Sequence, residues 1–231
     1  MKYLLLMITI LFASCNQKQK VDNNSKVDTS EKKIDKIEEN FSIDVKEARL
    51  FRFKNPNMPI EDTLILSIGQ TDFQITPLGL MTINDIDSIQ LKTEMIVEKA
   101  YMYEDERNYY IFFTETDMDV ATSYLQKVSK EPLTSLYTKL IHGFNLGLPL
   151  ISQEYAYVNT IGCVGKIDLN TGDYIWQHMD LYDNEKYSFN SFDTVLIKQE
   201  TTEFISENYK SKKIDKVIID NESGEIITID K

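Results

Sequence analysis

The side chains that most often carry out chemistry are scarce in this chain. Its 231 residues include two His and two Cys, and neither His142 nor His178 has a second type of ligand nearby at metal-binding spacing. The sequence contains no nucleophile elbow, no dinucleotide-binding loop and no phosphate-binding loop. We therefore expect no catalytic residue, no metal and no cofactor, and we expect that the protein is not an enzyme.

Two further candidates for chemistry have simpler explanations. The segment from Asp168 to Asp173 resembles a calcium-binding loop, but its Gly172 is at the fifth position and Met179 occupies the twelfth, where a bidentate Glu belongs. A hairpin turn explains this segment better. Cys163 lies in an apolar run that is typical of a buried strand, so we expect a core residue rather than a reactive thiol.

The overall charge restricts the kind of partner. Asp and Glu number 37 against 25 Lys and Arg, which gives a formal net charge of −12. Nucleic acid and anionic lipid surfaces both require a basic face. We therefore expect no nucleic acid partner, and a basic protein is the partner that the charge favours.

The N-terminus has the pattern of a secretory signal. Lys2 precedes a short apolar run, Leu4 to Phe12, which is too short to span a membrane, and Ala13, Ser14 and Cys15 follow. This ending resembles the bacterial lipobox, in which cleavage occurs before a Cys that has been lipid-modified. The resemblance implies cleavage between Ser14 and Cys15, acylation of Cys15 (palmitate being such a modification), and membrane attachment through the lipid. No acidic run follows Cys15, which favours a lipid-anchored, periplasm-facing position in a bacterial cell envelope.

Composition divides the rest of the chain in two. Residues 16 to 40 contain few large aliphatic residues, so residues 15–40 are predicted to be a lipidated Cys followed by a disordered tether. From residue 41 to 231, short runs of Ile, Val, Tyr, Phe and Thr alternate with turn residues, which is typical of an all-β domain. The predicted domains are thus a signal peptide (1–14), the tether (15–40) and a β-domain (41–231).

A repeated hairpin is the most informative feature of the β-domain. The stretch Ile167 to Trp176 aligns with Ile219 to Thr228, so that Asp168 matches Asp220 and Gly172 matches Gly224. We expect each Asp to end a strand and each Gly to adopt a positive φ in the turn.

Weaker copies of the hairpin occur at residues 128–137 and 82–85. Residues 132–142 also have the apolar spacing of a helix, so this segment could be a helix or part of a repeat. A unit of about 45 residues containing several strands is the size of a propeller blade. A strand formed by residues 41–50 could close a ring on the last repeat, or the array could stay open and dimerise.

The stretch Gly165 to Trp176 is similar to the repeat of quinoprotein-like (PQQ-like) β-propellers, in which the terminal Trp docks on the neighbouring blade. The resemblance implies a small or incomplete propeller-like array of about four antiparallel sheet repeats. It does not imply the quinone cofactor, because the chain is far shorter than the cofactor-binding members.

An acidic turn between aromatic strands offers a candidate partner-binding rim, which consists of Tyr101, Tyr103, Glu104, Asp105, Glu106 and Tyr109. Carboxylates beside aromatic rings suit a basic protein. We favour the simpler interpretation, an ordinary hairpin with its aromatic residues in the core and a solvated tip. Burial of the tyrosines distinguishes the two.

We expect a non-catalytic lipoprotein that acts as a binding or scaffold protein. Two alternatives remain: a lipoprotein that binds a sugar or another small ligand, and a lyase or hydrolase with a carboxylate-lined pocket.

Overall fold

A computed structural model describes the following residues: 42–47, 63–117, 120–143, 145–181, 192, 194–207 and 214–230. All of them belong to one compact unit, Glu38–Lys231, of the two into which the chain divides. No helix occurs among these residues, and every regular element is a β-strand. In particular, they contain no helix long and apolar enough to cross a membrane.

The strands form four antiparallel sheets in chain order, and each sheet is built from consecutive hairpins. The first sheet contains β2 (Leu64–Ile68), β3 (Thr71–Ile75), β4 (Leu80–Ile83) and β5 (Asp87–Gln90). The second contains β6 (Ile96–Glu104), β7 (Asn108–Asp117), β8 (Val120–Ser129) and β9 (Thr134–Ile141), with β1 (Ser42–Glu47) added beside β6.

The third sheet contains β10 (Leu150–Ser152), β11 (Tyr155–Thr160), β12 (Cys163–Asp168) and β13 (Tyr174–His178). The fourth contains β14 (Thr194–Ile197), β15 (Thr201–Glu207), β16 (Ile214–Asp220) and β17 (Ile226–Asp230). The predicted fold class, an all-β array of about four antiparallel sheets resembling an incomplete propeller, is confirmed.

The sheets stack face to face in chain order, because the strands of the middle sheets are apolar on both sides. Phe113 of the second sheet packs toward the first sheet with Phe73, whereas the adjacent Phe112 packs toward the third sheet with Val158. A third apolar cluster, which includes Phe204, joins the third and fourth sheets. The core therefore consists of three layers between four sheets.

Strand β1 does not join the last sheet. It pairs with β6, so that Ser42 lies opposite Glu104 and Glu47 lies opposite Lys99. The ring-closing role considered for residues 41–50 is therefore wrong: this strand extends the second sheet.

The two weaker repeat copies have different outcomes. Residues 134–141 form a strand, so the helical alternative for 132–142 is wrong and the third copy is the hairpin of β8 and β9. The copy at Thr82 to Asp85 is also a hairpin, but Ile83 packs toward the following sheet. The aligned Ile167 packs toward the preceding sheet instead. This copy is therefore out of register by one residue, which reverses the faces of a strand.

Candidate functional site

The predicted lipidation site, Ser14 and Cys15, lies outside the described residues. Cleavage and acylation there remain predictions.

The tyrosines of the predicted rim are core residues. Tyr101 and Tyr103 are each 4% exposed and lie between the second and third sheets, and Tyr109 is 8% exposed and lies between the first and second. They are buried because both faces of the second sheet are covered by neighbouring sheets. The ordinary-hairpin interpretation is therefore confirmed for these three rings, and the binding-rim interpretation is wrong for them.

The tyrosine hydroxyls fasten the second sheet to the loop that enters the third. The Tyr101 hydroxyl donates to the Leu146 carbonyl oxygen at 3.2 Å, and the Tyr103 hydroxyl donates to the carbonyl oxygen of Pro149. The Tyr109 ring packs edge-on against Phe73, with a centroid distance of 5.2 Å. These contacts are structural, since a buried hydroxyl without a partner would be costly.

The acidic tip of the same hairpin remains at the surface. Glu106 is exposed, and the Glu104 carboxylate lies 2.7 Å from the Lys130 ammonium. The Asp105 carboxylate accepts hydrogen bonds from the backbone amides of Arg107 and Asn108, each at 2.7 Å. Asp105 therefore organises the turn, and Glu106 is the freely presented charge of the three acidic residues.

The pKa of Asp105 reflects two opposing causes. Partial burial raises it, but hydrogen bonds from the Tyr110 hydroxyl and from Arg107 and Asn108 outweigh that effect. The pKa lies below its ordinary value of 3.8, and the carboxylate is ionised at neutral pH.

The repeat residues form two equivalent turns. Gly172 and Gly224 have φ values of +75° and +74°, and their amides donate to the carbonyl oxygens of Asp168 and Asp220. The predicted positive φ is confirmed at both glycines. The Asp carboxylates also accept hydrogen bonds from backbone amides of their own turns. Asp168 accepts one from Asn170, and Asp220 accepts one each from Glu222 and Ser223.

Each turn receives an aromatic side chain from the preceding sheet. The Trp176 indole N–H donates to the Asn221 carbonyl oxygen at 3.3 Å, and the Tyr137 hydroxyl donates to the Leu169 carbonyl oxygen at 2.8 Å. Asn221 and Leu169 are equivalent positions of the repeat. The docking of Trp176 on the next repeat, implied by the resemblance, is therefore observed, and Tyr137 performs the same role one sheet earlier.

A lysine accompanies each of these aromatic side chains. The Lys127 ammonium donates to the Leu169 carbonyl oxygen at 3.0 Å, and that of Lys166 donates to the Asn221 carbonyl oxygen at 2.9 Å. Lys166 also lies 4.1 Å from the centroid of the Tyr155 ring, and burial lowers its pKa. In each turn, one carbonyl oxygen thus accepts two hydrogen bonds from the preceding sheet, one from a lysine and one from an aromatic side chain.

The turns of all four sheets bring acidic residues to one end of the array. The first and third turns of an up-and-down antiparallel sheet lie at the same end. We define the acidic end as these turns in the described sheets: 69–70, 84–86, 105–107, 130–133, 153–154, 169–173, 198–200 and 221–225. Neighbouring sheets contact each other there, as the Lys127 and Lys166 hydrogen bonds show.

The charge of this end is strongly one-sided. Its turns contain nine Asp or Glu residues and three Lys or Arg residues, a balance of −6. The described turns at the opposite end, 76–79, 91–95, 142–143, 145–149, 161–162 and 179–181, contain two acidic residues and one lysine. Most of the exposed acidic residues at the acidic end have no cation at salt-bridge distance within the described residues. This end therefore presents a negative electrostatic field to solvent.

The remaining chemical candidates are structural. Cys163 is 3% exposed in β12, and burial raises the pKa of its thiol to about 11, as expected of a core residue. The His178 ring nitrogen Nε2 lies 2.8 Å from the Gly224 carbonyl oxygen, so this half-buried side chain joins two sheets. Within the described part of the chain, no group of three or more His, Cys, Asp or Glu side chains could hold a metal ion.

Sequence reasoning missed a row of exposed aliphatic side chains. Leu136, Ile175 and Ile227 occupy the same position on the last strand of three sheets and are 51%, 48% and 55% exposed. Each directly precedes the position of the docked aromatic residue. This regularity was visible in the aligned copies, but only the strand pairing shows that these side chains point out of the array.

No model of a known protein family matches the chain, and a search of curated proteins found no significant similarity.

Proposed function

We propose that the chain is a non-catalytic, lipid-anchored cell-envelope protein that binds a basic protein through its acidic end. The concentration of charge at that end supports the proposal: a balance of −6 in its turns against −1 in the named turns at the opposite end. A field of one sign favours encounter with an oppositely charged partner and opposes like-charged ones.

The architecture is compatible with a binding role. The acidic residues lie on turns of stacked sheets whose contacts are repeated hydrogen bonds and aromatic packing, so the charges are presented on a rigid frame. A rigid frame reduces the entropy that binding costs. Membrane attachment through Cys15, facing the periplasm, would place this end where secreted or membrane proteins pass.

The first test concerns the anchor. Expressed in bacteria, the full chain should be recovered with membranes and should incorporate a labelled fatty acid. A Cys15→Ala version should lose the label and leave the membrane fraction. Equal labelling of both versions would overturn the lipidation part of the proposal.

The second test concerns the partner. Cross-linking on native membranes should recover one stoichiometric basic protein with the wild-type chain. Reversing two exposed charges at the acidic end, Glu106→Lys with Glu200→Lys, should reduce its recovery at least tenfold and weaken the salt dependence of binding.

The matched control reverses two exposed charges at the opposite end, Glu94→Lys with Asp180→Lys. It should leave recovery unchanged. An equal loss in both double variants would show that overall charge, rather than the acidic end, determines binding.

A further inference from the structure

The row of exposed aliphatic residues arises from a bulge that is repeated in three sheets. In the second sheet Lys127 pairs with Tyr137, and the next residue, Val128, pairs with Ser135. Leu136 is therefore an extra residue in the last strand. Ile175 and Ile227 are the extra residues in the third and fourth sheets, at the matching points. A bulge leaves its extra residue unpaired in the ladder.

The bulge directs these three side chains away from the core. In the third sheet Tyr174 packs toward the second sheet and Trp176 toward the fourth, which leaves Ile175 between them pointing outward. Ile227 lies in the same way after Ile226, which packs toward the third sheet. All three sheets place Leu or Ile at this position although it is about half exposed. Single exposed aliphatic residues are common, but three in equivalent places form an ordered row.

Acidic residues border the row on the side of the acidic end. Asp173 and Glu225 each stand two residues before an aliphatic member of the row, and both are exposed. Glu131 and Glu222, also exposed, lie in the matching turns of the second and fourth sheets. Asp173 additionally pairs with the Lys139 ammonium at 2.6 Å. The surface thus combines an apolar row with neighbouring acidic residues, of which Asp173 is paired and Glu131, Glu222 and Glu225 are exposed.

We infer that this surface, the row Leu136, Ile175 and Ile227 with its bordering acidic residues, binds a basic amphipathic helix of the partner. Stacked sheets lie about 10 Å apart, and seven residues of an α-helix advance roughly 10.5 Å at about 1.5 Å per residue. Apolar residues at i, i+7 and i+14 would therefore meet the three aliphatic side chains. Lys and Arg on the flank of that helix would face Glu131, Glu222 and Glu225, since Asp173 already pairs with Lys139. This inference deepens the proposed function and rests on it for the identity of the partner.

A designed peptide tests the surface independently of any partner. The probe is a 21-residue helix with Leu at three positions seven residues apart and Lys on the neighbouring flank. Its control has the same composition with the Leu positions scrambled. Fluorescence anisotropy with the full chain should show at least tenfold tighter binding of the probe, and the affinity should fall with added salt.

The decisive protein variant replaces all three aliphatic residues with Thr (L136T, I175T, I227T), which retains strand propensity. It should weaken probe binding at least tenfold. The matched control replaces Leu78 and Ile86, exposed aliphatic residues in turns of the first sheet that are 75% and 84% exposed, with Thr. That control should bind the probe as the wild type does. Circular dichroism and thermal unfolding confirm that both variants are folded.

Several outcomes would overturn the inference. These are absence of probe binding, equal binding of probe and scrambled peptide, and equal binding by wild type and triple variant. Concentration-dependent dimerisation of the wild type that the triple variant loses would assign the surface to a second copy instead. If membrane cross-linking recovers the basic partner equally with both chains, this inference fails and the proposed function stands. If the wild-type chain recovers no partner, the proposed function fails.

Discussion

Gly224 lies directly against the side chain of Trp176: a Cβ atom added at Gly224 would stand 2.5 Å from the Trp176 Cβ and 2.6 Å from its Cγ. One sheet earlier, a Cβ on Gly172 would stand 2.7 Å from ring atom Cε2 of Tyr137. The turn glycine therefore has two roles. It provides the positive φ of the turn, and it leaves the space that the aromatic residue of the preceding sheet occupies.

Replacing Gly224 with Ala should destabilise the protein by about 2–4 kcal/mol, because the left-handed backbone and the crowded Trp176 each add a cost. Gly69 provides the control, since its φ is also positive (+60°) but nothing lies within 4 Å of an added Cβ. Gly69→Ala should cost only about 1–2 kcal/mol. Urea unfolding measures both values, and equal losses would show that contact with Trp176 is unimportant.

The turn chemistry could be predicted from the sequence because it is local. An Asp followed four residues later by Gly, between apolar strands, predicted both the hairpin and the positive φ. The docking of Tyr137 on the next turn could not be predicted in the same way, because it depends on two segments that are distant in the chain. The weak third copy lacks the Gly and has helical apolar spacing, so its sequence does not distinguish a strand from a helix. The pairing of β9 with β8 in the structure shows that it is a strand.

The fourth sheet does not present the side chains that its neighbours use for stacking. In the third sheet Tyr157, Lys166 and Trp176 form one cross-strand row that faces the fourth sheet. The corresponding row of the fourth sheet is Glu203, Ile218 and Thr228. This row is thus partly polar: Glu203 is buried and paired with Lys198, and Thr228 is exposed where the third sheet has the buried Trp176.

Exchanging Trp and Thr between these equivalent positions should have effects of very different size. Trp176→Thr removes a buried ring and should cost about 3–5 kcal/mol. Thr228→Trp alters an exposed position and should change the unfolding free energy by less than about 0.5 kcal/mol. Thermal and urea unfolding measure the two, and a large stabilisation by Thr228→Trp would contradict the assignment of this face as an end.

The burial of the tyrosines shows a second limit of sequence reasoning. An alternating pattern reveals which face of a strand is buried only when the other face meets water. In β7 the run Tyr109 to Phe113 is apolar throughout, because sheets lie on both sides. An acidic turn beside such a run therefore resembles an aromatic binding rim although its rings are in the core.

The carboxylate of Asp105 should make stability depend on pH at the acid end of the scale. Its pKa is lower in the folded chain than the ordinary 3.8, so the unfolded chain binds the proton more readily. The stabilising contribution is present above pH 3.8 and is lost as the pH falls through the folded value. Unfolding free energies measured from pH 6 to pH 2.5 should fall more for wild type than for Asp105→Asn. Parallel curves would contradict the role of this carboxylate.

Cys163 should resist modification while the protein is folded. With a pKa of about 11, only about one thiol in a thousand is ionised at pH 8, and the thiolate is the reactive form. In the Cys15→Ala version, where Cys163 is the remaining thiol, a thiol reagent at pH 8 should react slowly in buffer and rapidly in urea. Rapid labelling in buffer would show that the third sheet is open at this strand.

The contrast between the third and fourth sheets also bears on how a chain of this kind can change length. The turns at Gly172 and Gly224 accept an aromatic ring in the same way, and the third sheet carries both the accepting turn and the donating row. A duplicate of the third sheet could therefore follow the original and be followed by the fourth, with the one new junction placing a Trp against a Gly172 turn of the same kind as the Gly224 turn that already accepts one. A unit added after the fourth sheet would meet Glu203 and Thr228 instead. Growth by duplication is favoured inside the array and disfavoured at its end.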